Sequence, residues 1–132
     1  MATPRHRRAL PNGQHGSVTL ETVVLWPAVF LLIFGIVQAG IWYHARNVAL
    51  TAAHEGARAG SLGESGDGAA RAAEFVADTA STSLLRVDEI SQEVGEGSVT
   101  VTVTGESTTL VPGWTIDVSQ SSTAPIRRWT DP

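Results

Sequence analysis

The chain contains no cysteine and no lysine among its 132 residues. Without cysteine there are no disulfides, thiolate zinc sites or cysteine nucleophiles, so any fold outside a membrane holds by packing alone. Histidine is scarce as well. His6 and His15 precede the long apolar run, and with only His44 and His54 elsewhere a Ser-His-Asp arrangement has little to be built from. His54-Glu55 begins like a zincin motif, but no histidine follows at the required spacing. Asp88, Glu89, Glu93 and Glu96 lack the alternation of a calcium loop. The glycines of Gly60 to Gly68 have no strand before them and no lysine after, which excludes a phosphate loop. With no convergent set of reactive groups, the expectation is a non-enzyme that takes no cofactor, no metal and no small-molecule substrate.

Charge is divided along the chain. Arg5, Arg7 and Arg8 stand before the apolar run with no acid among them, whereas from His44 onward there are six Arg against twelve Asp plus Glu. An acidic domain repels phosphate, so nucleic acid is not an expected partner.

From Val23 to Tyr43 runs VVLWPAVFLLIFGIVQAGIWY, in which Gln38 is the only plainly polar side chain. As a helix, 21 residues span roughly 32 Å against a hydrocarbon core of about 30 Å. The many Val, Leu, Ile and Phe residues, each worth roughly −0.3 to −0.6 kcal/mol on the insertion scale, outweigh Pro27 and Gln38. A transmembrane helix is expected, with a kink or loosened turn at Pro27. The arginines before the run place the N-terminus in the cytoplasm and residues from about His44 outside the cytoplasmic membrane. Trp42 and Tyr43 then fall where an interfacial aromatic belt belongs.

Beyond the run the sequence lacks proline as far as Ala59, and Ala45, Ala49, Ala52, Gly56 and Ala59 recur at spacings of three and four. This stripe of small residues predicts a helical face that packs closely against neighbouring subunits, the alternative being an Ala-rich helix that only reflects high helix propensity. Gly60 to Gly68 predicts a turn in which Asp67 caps a second helix. Ala69, Ala72, Val76, Ala80 and Leu84 predict that this second, amphipathic helix runs from Ala69 to about Arg86.

The period then changes to two. Ser98-Val99-Thr100-Val101-Thr102-Val103-Thr104 alternates throughout, Trp114, Ile116 and Val118 alternate with Thr115 and Asp117, and Ile90-Gln92-Val94 supplies a third strand. Leu110-Val111-Pro112-Gly113 contains a Pro-Gly turn. The fold class expected is α+β: a long N-terminal transmembrane helix continuing outside the membrane, a second helix, then a small antiparallel sheet packed on that second helix. The length allows one small domain besides the membrane segment.

The stretch ahead of the run carries a more specific pattern. Arg5-His6-Arg7-Arg8 is followed by Gly16, then four uncharged residues Ser17-Val18-Thr19-Leu20, then Glu21 at the head of the apolar helix. An ionisable residue in such a place is a functional candidate by default, although a first-turn carboxylate favoured by the helix dipole, with Thr19 as cap, is the simpler structural account. A signal-peptidase site is also legible. Val37-Gln38-Ala39 before Gly40 satisfies the small-residue rule for ordinary signal peptidase and would yield a secreted soluble domain, but Glu21 breaks the basic region such signals keep.

The leader, Gly16 and Glu21 resemble a class III prepilin signal. Together with Pro27, Phe34-Gly35-Ile36-Val37, His54-Glu55-Gly56-Ala57-Arg58-Ala59, the Val-Thr strand, Leu110-Val111-Pro112-Gly113 and Ala124-Pro125-Ile126, they resemble the TadE-like pseudopilins of tight-adherence pilus systems. The resemblance implies a pilin-like arrangement: residues 1–16 a leader, 17–60 the transmembrane helix with its extension, and 61–132 a small extracytoplasmic domain. It implies cleavage by prepilin peptidase between Gly16 and Ser17, and a Glu21 that neutralises the terminal amine of a neighbouring subunit. The partners implied are the bilayer, that peptidase and other pilin or pseudopilin subunits. The family favours an aromatic after the Glu where this chain has Thr22, which leaves open an uncut, membrane-anchored relative.

Overall fold

A computed structural model of the chain describes residues 15–62, 67–79 and 83–127, with side chains from Thr19 onward. In chain order the elements are helix α1 (His15–Gly60), helix α2 (Gly68–Asp78) and strands β1 (Leu85–Val94), β2 (Ser98–Ser107) and β3 (Ile116–Pro125). The order is that of the expected α+β, pilin-like class. The chain divides into two compact units, one ending at Gly35 and one beginning at Ile36.

In the first unit α1 carries apolar side chains on all sides. Val24, Leu31 and Leu32 are 71%, 74% and 64% exposed, and Trp26 and Phe30, one turn apart, meet with ring planes tilted by 37° and centroids 5.9 Å from each other. Among the described residues, α1 is the one helix long and apolar enough to cross a membrane, and none of that apolar window is buried within the chain. Pro27 lies inside the helix, where it withholds one backbone donor.

In the second unit the outer half of α1, α2 and the sheet share one core. Ala45, Val48, Ala49, Ala52, Ala53 and Ala57 of α1 meet Ala72 and Val76 of α2, Leu85 of β1, Val99, Val101 and Val103 of β2, and Val118 of β3. The alternation of β2 is complete, each valine buried and each intervening threonine half-exposed. The sheet is antiparallel in the order β1-β2-β3. Its cover differs from expectation: α1 supplies most of the helical side of the core, not α2 alone.

Two boundaries differ as well. Helix α2 stops at Asp78 rather than near Arg86, and Leu85 is a buried strand residue. Thr79 ends the helix, its amide and its hydroxyl both donating to the Phe75 carbonyl at 3.0 and 2.7 Å. The Ser and Thr residues beyond it are poor helix formers because their side chains compete for backbone partners. Ala80 lies outside the described residues. At the other end, β3 begins at Ile116 and runs to Pro125, leaving Trp114 outside it and 68% exposed.

Strand β1 hides its own period. Leu85 and Val87 face the helices, and so do Ile90 and Gln92, because a bulge between Val87 and Glu89 inserts one unpaired residue and shifts the phase. Gly105 sits opposite Val87 at this bulge, where an added Cβ would collide with the Arg86 carbonyl oxygen.

Candidate functional site

The Gly16–Ser17 peptide bond lies in the first turn of α1, while Arg5, His6, Arg7 and Arg8 lie outside the described residues. Glu21 stands six residues after the start of the helix and is exposed. A macrodipole acts within the first turn only, so it does not account for this carboxylate. Thr19 is interior to the helix and is not its cap, contrary to the structural account of Glu21 as a first-turn residue.

Ala45, Ala49, Ala52 and Gly56 are buried. The cover comes from this chain. A Cβ on Gly56 would lie 2.6 Å from the Gly68 carbonyl oxygen, 3.0 Å from Val101 Cγ1 and 3.1 Å from Ala72 Cβ. Gly68 meets the Gly56 carbonyl oxygen in the same way. The two glycines therefore allow α2 to start in backbone contact with α1, in the manner of small-residue crossings. Ala59, the last of the predicted stripe, is only half-buried at the end of the helix.

The start of α2 is held from two directions. Asp67 Oδ1 accepts from the Ala70 amide at 2.9 Å, the expected cap. Gln92 of β1 adds a second acceptor, its Oε1 receiving the Gly68 and Ala69 amides at 2.7 and 3.1 Å. Three of the four amides that a helix leaves unpaired at its start are thereby satisfied, one of them across 24 residues of sequence.

Gln38 does related work at the other end of the sheet. Its Nε2 donates to the Thr108 carbonyl at 3.3 Å and its Oε1 accepts from the Leu110 amide at 2.8 Å. The single plainly polar residue of the apolar run thus clamps the β2–β3 loop to α1. By composition alone it is only a cost to insertion. Its signal is its solitude: a polar side chain retained in such a run usually has a partner.

These contacts define how β2 lies on α1. Gly60 abuts Val99, Gly56 abuts Val101, and Gln38 holds Thr108 and Leu110, so β2 runs antiparallel to the helix. From Gln38 to Gly60 the helix rises about 33 Å, and from Val99 to Thr108 the strand covers roughly 30 Å, so the two spans match in length.

An open cleft of about 330 Å³ lies between Glu55, Arg58, Ser61, Leu62, Arg71 and Arg127. Its three arginines are exposed; Arg58 pairs with Glu55 at 3.8 Å and Arg71 with Glu74 at 2.8 Å. The hydrogen bond and charge of Glu74 raise the Arg71 guanidinium above its ordinary pKa. Among the described residues no group of three or more His, Asp or Glu is arranged to hold a metal ion.

Residues 16–58 match the family of TadE-like proteins. The match begins at Gly16 and takes in Glu21, the apolar run and the small-residue face. Searches of curated proteins and of solved structures return no match.

Proposed function

We propose that this chain is a TadE-like minor pseudopilin, a structural component of a tight-adherence pilus or secretion apparatus. The observation that carries the reading is the family match over residues 16–58, laid on a helix whose apolar side chains stay uncovered up to Val37. That surface needs either lipid or the helices of other subunits, which are the two environments a pseudopilin occupies in turn.

In this reading α1 crosses the cytoplasmic membrane once, with Arg5, Arg7 and Arg8 in the cytoplasm and the second unit outside. Prepilin peptidase cuts between Gly16 and Ser17, and the apolar helix stays attached. Glu21 then pairs with the new amine of a neighbouring subunit as α1 is drawn from lipid into a bundle. Pairing removes the cost of an isolated carboxylate among apolar helices, which gives the residue a reason to be there. The uncut membrane-anchored accessory protein is the alternative that shares every feature except cleavage. Release by signal peptidase after Ala39 has an observation against it: the cut would remove Gln38 and deprive Thr108 and Leu110 of their partner.

The test is the N-terminal sequence of the mature protein from its native host, with and without Glu21→Ala. A start at Ser17 is expected in both, with the Glu21→Ala chain cleaved but missing from the assembled fraction. An intact leader would transfer the assignment to the uncut anchor, and a start at Gly40 would refute the pilin reading.

A further inference from the structure

The β2–β3 loop has the composition of a membrane contact rather than of a solvated turn. From Ser107 to Ile116 it carries no charged residue, and Leu110, Val111 and Trp114 are 43%, 52% and 68% exposed. Several of its backbone polar groups are held by the loop itself or by Gln38. The Trp114 amide donates to the Val111 carbonyl at 3.2 Å across a turn with Pro112 second and Gly113 third, and Gly113 has the positive φ of 81° that a type II turn requires there. The Thr109 hydroxyl reaches the Val111 carbonyl at 2.9 Å and also the Trp114 carbonyl. Gln38 holds the Thr108 carbonyl and the Leu110 amide. A loop braced in this way can turn its remaining amides and carbonyls to water and headgroups, which suits the polar interfacial zone rather than the hydrocarbon core.

Its position identifies the occupant. Gln38 follows Val37, the last exposed large aliphatic residue of the apolar run, and stands four residues before Trp42, so about 6 Å further toward the hydrocarbon along the helix. The interfacial zone of a bilayer leaflet is itself roughly 5 to 8 Å deep, taking headgroups and core thickness together. A loop clamped at Gln38 lies within that zone if Trp42 and Tyr43 form its outer belt.

We propose that the β2–β3 loop is a second membrane contact of this protein, with Leu110, Val111 and Trp114 seated among the lipid headgroups and upper acyl chains of the outer leaflet and Gln38 fixing the loop to the anchoring helix. The proposal rests on the membrane-anchored reading above. The contact ties the outer domain to the bilayer surface at two points, so α1 leaves the membrane only when the loop leaves it too.

The absence of cysteine makes the test direct. Single cysteines placed by Val111→Cys, Trp114→Cys, Gly97→Cys and Phe30→Cys carry a fluorophore on the full chain, reconstituted in phosphatidylethanolamine–phosphatidylglycerol vesicles with lipids brominated high on the acyl chain. Gly97 is exposed at the far end of β2, and a side chain there meets open space. The expected result is loss of emission to bromolipid at 111 and 114, none at 97, and the same losses when protein is diluted in lipid. Labels at 111 and 114 that behave like the one at 97 overturn the proposal while leaving the anchor intact, provided the label at 30 responds to lipids brominated deeper in the chain. Shielding at 111 and 114 that disappears on dilution in lipid also overturns it, by assigning the loop to a second copy. No response at 30 refutes the anchor reading itself, and the loop proposal with it.

Discussion

Gly56→Ala adds one methyl group at the point where two helices touch through their backbones. The new Cβ would stand 2.6 Å from the Gly68 carbonyl oxygen, a distance that forces a shift. The neighbour cannot swing aside as a side chain would, because Gly68 begins α2 and its amide is held by Gln92. Overpacking of this kind costs about 1 to 3 kcal/mol, and a rigid backbone neighbour places it toward the upper end. Alanine returns about 1 kcal/mol through its helix propensity. The net expectation is a loss of about 2 kcal/mol from the second unit. Gly40→Ala is the matched control, since its Cβ meets nothing within 4 Å and only the propensity gain of up to about 1 kcal/mol remains. The assay is urea unfolding of full-length protein in mild detergent, read by hydrogen exchange at the β2 amides. Gly68→Ala opens the same crossing from the other side, so the double variant should lose less than the sum of the two. Wild-type stability in Gly56→Ala, or an equal loss in Gly40→Ala, would refute the claim that this crossing is limited by backbone contact.

Two more outcomes are expected from the same core. Gln92→Ala removes the acceptor of the Gly68 and Ala69 amides, and a cap of this kind is worth about 1 kcal/mol. Faster exchange at those two amides, with the β2 amides less affected, is the expected signature. Val101→Ala empties space beneath a fully buried valine and should cost about 2 kcal/mol, whereas Thr102→Ala on the half-exposed face should stay within about 0.5 kcal/mol. Similar unfolding midpoints for the two would contradict the assignment of faces.

Local period and composition make several elements legible without the fold. The apolar run of α1, the small-residue stripe, the Asp67 cap, the Pro112-Gly113 turn and the Val-Thr strand each declare themselves within a few residues, because burial repeats every 3.6 residues on a helix and every two on a strand. The leader and Glu21 are legible for another reason, as an order of residue types that resembles a known signal.

Where the period is broken, legibility ends. The bulge beside Asp88 moves the buried face of β1 from Leu85 and Val87 to Ile90 and Gln92, so no single alternation spans the strand. The continuation of the apolar stripe to Leu84 suggests a longer α2 than exists, since nothing local shows that Leu85 will be claimed by a sheet. Trp114 keeps the alternation of β3 yet leaves the strand, because the Pro112-Gly113 turn and Thr109 draw its backbone into the loop.

Sequence by itself determined the class of this protein: one long apolar helix, a second helix, an antiparallel sheet, and an amino-terminal order of residues like that of a prepilin. Tertiary structure alone decided what covers the small-residue face, and why Gln38, Gln92, Gly56 and Gly68 stand where they do. The reason is physical. Each of these residues acts on a group 12 to 72 positions away, and a polar side chain or a missing Cβ carries no mark of its partner until the chain has brought the two together.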